Sequence, residues 1–66
     1  MDGTLMDLVD QLRLYGVEVF WSTFLAVPGV WSAAHRFVVL SVTRDESSLT
    51  SLCRQALEEA KSRQEV

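Results

Sequence analysis

A chain of 66 residues has room for one domain, and folding at that length buries only about 60% of the surface that the unfolded chain exposes, so a further source of burial is expected. With one cysteine, Cys53, and one histidine, His35, neither a disulfide framework nor a structural metal site supplies it, which leaves self-association or a larger partner. A composition of 48% hydrophobic and 23% charged residues excludes a disordered chain, and a net charge of −3 with scattered basic residues argues against nucleic acid as a partner, since phosphate binding needs clustered Lys and Arg.

The first predicted element is a helix over about residues 4 to 15. Leu5, Leu8, Val9 and Leu12 follow the i, i+3, i+4, i+7 spacing of one helix face, and Tyr15 extends the stripe. Thr4 serves as N-cap, Asp7 falls in the first turn, and Gly16 supplies the stop. Met6 and Leu14 project away from the stripe and are candidate interface residues; the alternative is that they are isolated exposed apolar side chains. The opening Met-Asp-Gly-Thr lacks the basic start and apolar core of a secretory signal, so a cytoplasmic location is expected.

From Val17 to Val27 the residues are β-branched and aromatic, which predicts a strand over about 17 to 27. A helical reading stays open, because Val17, Phe20, Trp21 and Phe24 also fit i, i+3, i+4, i+7. From Val19 onwards this stretch belongs to an uncharged run of sixteen residues, Val19 to Ala34, that holds both tryptophans and the only proline. A membrane-spanning helix wants about 20 apolar residues, and this run is shorter and interrupted by Pro28-Gly29, so a membrane is not an expected partner. Pro28 and Gly29 suit the centre of a type II turn, where Pro presets φ and Gly accepts a positive one, and a chain reversal is predicted there.

Val30 to Ala34 is ambiguous, but Arg36 to Thr43 (RFVVLSVT) is the strongest strand signal in the chain, over about 36 to 43. Phe37 and Val39 alternate with Val38 and Leu40, so both faces of this strand are apolar and ask for cover on both sides. One short chain has little to offer for the second face, which points to another chain. The last element is a helix over about 47 to 63, led by Asp45, Glu46, Ser47 and Ser48. Leu49, Leu52, Cys53, Ala56, Leu57 and Ala60 form its apolar stripe, with Arg54, Glu58 and Lys61 opposite. Arg54 with Glu58 and Glu59 with Arg63 stand at the i, i+4 spacing of helix ion pairs. The expected fold is a single α+β domain across residues 1 to 66, of order αββα, with a two-stranded antiparallel hairpin packed against two helices and completed by dimerisation or a partner.

No combination of residues points to catalysis, a cofactor or a metal. Cys53 lies within the apolar stripe, where burial disfavours the thiolate. His35 is the one candidate general base, and no motif surrounds it. Ser47, Ser48, Ser51 and Ser62 are accounted for by capping and exposure, and Glu58 and Glu59 point about 100° apart on a helix. What remains is the aromatic set Phe20, Trp21, Phe24 and Trp31, with Met6 and Leu14, as a candidate protein interface. The competing reading places these aromatics in the core. The expected function is a non-catalytic protein-interaction module, not an enzyme, that docks an aromatic and aliphatic surface on a larger protein or on itself. It would act as an adaptor or as an inhibitor, including the phage-type inhibitors of host complexes. Occupying a nucleic-acid channel would require Asp7, Asp10, Glu18, Asp45 and Glu46 to form one negative patch.

Trp21, Phe24, Val27, Pro28 and Trp31 follow in spacing a Trp-Pro-x-Phe-x-x-Val-Pro-x-Gly-Trp pattern, and Asp2-Gly3-Thr4 matches an opening that goes with it. In this window the chain resembles the MbtH-like family, small proteins that bind and activate adenylation domains of nonribosomal peptide synthetases. Ser22 stands where that family has proline and Val30 where it has glycine; its Asn-x-Glu-x-Gln strand and Trp-Thr-Asp segment are absent, and it begins with strands. The resemblance implies an alternative function as such an activator, with Trp21 and Trp31 framing a cleft for an alanine side chain of the partner domain.

Overall fold

Thr4 opens the first helix, α1 (Leu5–Leu14), by accepting the Asp7 N–H on its hydroxyl at 3.2 Å. The helix ends in a Schellman arrangement. Gly16 takes the left-handed conformation at φ 83°, its N–H donates to the Arg13 carbonyl at 3.0 Å, and the Val17 N–H donates to the Leu12 carbonyl at 2.9 Å. Leu12 and Val17, which this motif brings together, are both buried. The structure, a computed structural model, describes residues 4–64. Asp2 and Gly3, matched to the MbtH-like opening, lie outside the described residues.

Among the described residues three strands follow, not two: β1 (Glu18–Ser22), β2 (Gly29–Ser32) and β3 (Phe37–Ser41), then α2 (Glu46–Gln64). The sheet order is β1-β3-β2, with β1 parallel and β2 antiparallel to β3. The α+β class stands, but the expected antiparallel hairpin of residues 17–27 with 36–43 is corrected: those segments pair in parallel, and the hairpin is β2–β3. Three local interactions explain the difference.

Ser22 ends β1 early, because its hydroxyl accepts the Phe24 N–H at 3.1 Å and turns the backbone out of the ladder. Residues 23 to 28 then cross the end of β3, where the Ser41 N–H donates to the Pro28 carbonyl at 2.9 Å and the Ser41 hydroxyl donates to the Leu25 carbonyl at 3.4 Å. Pro28-Gly29 is therefore the entrance to β2 and not a type II turn. Gly29 has no positive φ; it is needed because a Cβ there would stand 2.1 Å from the Val39 carbonyl oxygen and 2.7 Å from Leu52 of α2. The reversal falls at residues 33 to 36, where Arg36 adopts the left-handed conformation at φ 56°. Its carbonyl accepts the Glu18 N–H at 3.0 Å and its guanidinium donates to the Tyr15 carbonyl at 3.2 Å, tying the hairpin to the end of α1.

The register assigns each strand residue to a face. Val19, Trp21, Gly29, Trp31, Val38 and Leu40 share the inner face, against which both helices pack. Leu5, Leu8, Val9 and Leu12 of α1 meet Leu49, Cys53, Ala56, Leu57 and Ala60 of α2 over Val38 and Leu40 to form the core. These helix stripes are the ones read from the sequence, with Leu52 half-buried at the margin. No helix among the described residues is long and apolar enough to cross a membrane.

Candidate protein-interaction surface

Both helices lie on one side of the sheet, and among the described residues no helix or strand covers the other side. Phe20 of β1 and Val30 of β2 each stand beside Val39 of β3, which gives an apolar row across the outer face. Phe37 extends the row along β3 and packs edge-on against Phe20, with ring centroids 6.3 Å apart. Phe20 keeps 49% and Val30 44% of its surface accessible. The polar residues are at the ends: Glu18 and Ser32 flank Phe37, while Ser22 and Ser41 lie beside the crossover. Phe24 stands on that crossover and is almost wholly exposed.

The structure separates the six residues proposed from sequence. Phe20 belongs to the outer face. Trp21 is half-exposed on the inner side of edge strand β1, and Trp31 is half-buried on the inner side of edge strand β2. Trp31 packs against the core and its Nε1–H donates to Oε1 of Glu59 at 2.8 Å. Met6 and Leu14 are exposed on α1, away from the sheet's outer face. The open face is thus carried mostly by residues outside that set, namely Val30, Phe37 and Val39. Their signal was the double apolar pattern of β3; Val30 was legible only once its strand and register were known. Between the two tryptophans, β3 places Val38 and Leu40, both fully buried, where a shared cleft would need open space.

The acidic residues are divided as well. Glu18 begins β1 at the start of β3, whereas Asp45 and Glu46 follow the end of β3. A five-residue strand spans about 16 Å, so these acids occupy opposite ends and do not join into one patch.

The groups with possible chemistry are in settings that explain their structural roles. Cys53 is fully buried in the core, and desolvation pushes its thiol pKa up to about 11. His35 Nδ1 lies 3.2 Å from the Ser32 hydroxyl, across the β2–β3 turn, and its ring lies near Phe37 with centroids 6.0 Å apart. A serine beside an imidazole is the first half of a nucleophile–base pair, yet here His35 is exposed on a surface turn and no third side chain among the described residues orients it. Asp45 accepts from the hydroxyls of Ser47 and Ser48 and from the Ser48 N–H, which together hold its carboxyl below the usual range and cap α2. Among the described residues, no group of three or more His, Cys, Asp or Glu side chains is placed to hold a metal ion. No protein-family model matches the chain, and no curated protein and no solved structure matches it.

Proposed function

We propose that this chain is a non-catalytic protein-interaction module of the cytoplasm that docks the outer face of its sheet on a larger protein, as an adaptor or an inhibitor. The observation that carries this reading is the uncovered apolar row Phe20–Val39–Val30 with Phe37 beside it. A sheet face left to solvent is ordinarily polar, whereas this mixed sheet has helices on one face and an apolar centre on the other. Covering a Phe and a Val that are each about half exposed contributes roughly 1 kcal/mol apiece, half of the value for full burial. Glu18, Ser22 and Ser32 at the ends of the strands form a polar rim that favours one orientation of the partner.

Val30→Glu tests the reading, because Val30 is exposed enough to change without disturbing the core. The variant is expected to keep the wild-type circular dichroism and melting temperature while losing the stoichiometric protein that the wild type captures from its native cell extract. Equal capture by the folded variant contradicts the proposal.

A further inference from the structure

Among the described residues strand β1 is an edge with an unpaired side, and the hydrogen bonds fix which backbone groups that side presents. The Glu18 N–H donates to the Arg36 carbonyl at 3.0 Å and the Ser22 carbonyl accepts the Val42 N–H at 2.9 Å, so Glu18, Phe20 and Ser22 direct their backbone groups towards β3. By the alternation of a strand, Val19 and Trp21 direct their N–H and C=O groups to the free edge. Side chains flank that edge on both faces: Phe20 is 49% exposed on the outer face and Trp21 43% exposed on the inner one. Edge strands are ordinarily blunted by lysine, proline or a bulge, and the sequence of β1, EVFWS, carries neither of those residues.

We propose that this edge pairs with β1 of a second copy of the chain, antiparallel and centred on Phe20. The register is self-complementary. Val19 faces Trp21 of the copy, and the two residues exchange both backbone hydrogen bonds; the dyad repeats the exchange, so four bonds form. Phe20 meets its own counterpart in a position without backbone hydrogen bonds, where side chains approach most closely. Glu18, the one charged residue of the three strands, faces Ser22 of the copy and lies about 14 Å from its own counterpart, beyond the screening length at physiological salt. Two acidic chains therefore meet at this edge without opposing charges.

The result is one six-stranded sheet with all four helices on one side and a doubled apolar outer face. The other edge, β2, is a poorer candidate: it has four residues, starts at Pro28-Gly29, and its Trp31 is engaged by Glu59. This pairing goes beyond the docking function and does not depend on it.

Sedimentation equilibrium of the full chain at micromolar concentration is expected to give twice the chain mass of 7.4 kDa. Trp21→Pro removes an N–H that points to the free edge and leaves the β1–β3 ladder whole, so it is expected to halve the mass while circular dichroism is retained. Val30→Glu, which tests docking, is expected to leave the mass doubled. A wild type of single-chain mass, or a folded Trp21→Pro that stays dimeric, overturns the proposal. If Trp21→Pro does not fold, Phe20→Cys decides: the dyad brings the two new thiols together, and oxidation is expected to link the chains covalently. A dimer of this variant that fails to link also overturns the proposal.

Discussion

The indole Nε1–H of Trp31 donates to Oε1 of Glu59 at 2.8 Å, joining the end of β2 to the last third of α2 across 28 residues of sequence. This contact assigns the two tryptophans different work: Trp31 holds helix to sheet, and Trp21 remains half-exposed at the edge. Hydrogen bonds to charged groups contribute about 1.5–3 kcal/mol, and partial exposure lowers that here to about 1 kcal/mol. Trp31→Phe is expected to lower the unfolding free energy in urea by that amount. A double-mutant cycle with Glu59→Ala should then show coupling of at least about 0.5 kcal/mol, whereas full additivity would mean the bond contributes nothing.

Gly29 is fixed by steric contact. A methyl group at this position would meet the Val39 carbonyl oxygen at 2.1 Å, and backbone cannot move aside as a side chain tip can. Gly29→Ala is expected to cost about 3 kcal/mol or more and to lower the melting temperature sharply, while Gly16→Ala strains only a helix terminus at positive φ and costs about 1 kcal/mol. Equal melting temperatures for the two variants would contradict the close approach of β2, β3 and α2.

Asp45 carries a pH dependence of defined sign. Its carboxyl is held low by the Ser47 and Ser48 hydroxyls and the Ser48 N–H, so the folded state binds its proton less readily than the unfolded state. The stability it supplies is complete above the unfolded value of about 3.9 and is lost as pH falls through the lower folded value. The urea midpoint of the wild type is expected to drop over this acid range by more than that of Asp45→Asn. Parallel pH profiles would show that the carboxylate charge does not support the cap.

The Cys53 thiol, with its pKa raised to about 11 and no exposed surface, is expected to resist a disulfide reagent at pH 8 in the native protein. In denaturant the same thiol should react at the rate of a free cysteine. Rapid labelling of the native chain would place Cys53 outside the core.

Both helices were legible because their signals are local. The stripes of Leu5, Leu8, Val9 and Leu12 and of Leu49, Cys53, Ala56 and Leu57 reach the core as their periods require, and Thr4, Gly16 and Asp45 mark the ends. The sheet was only partly legible, because its path depends on contacts between distant residues. Nothing near Pro28-Gly29 reveals that Val39 lies within contact of Gly29, and a left-handed Arg36 closing the hairpin is not a turn signature. Phe20, Trp21, Phe24 and Trp31 are close in sequence but divided between faces and strands in the fold. Residues adjacent in β1 point to opposite sides of the sheet, and Trp31 lies two strands away. The demand of β3 for cover on both faces was readable from FVVL; that the helices would fill only one face required the sheet order.

The docking face itself can be mapped by a backbone amide NMR titration of the labelled chain with the purified protein that it captures. Shift changes concentrated at Phe20, Val30, Phe37 and Val39, with the solvent-facing residues Arg54 and Glu58 of α2 unaffected, are the result predicted for docking by the open sheet face. Changes confined to the helices, with the strands silent, would contradict it.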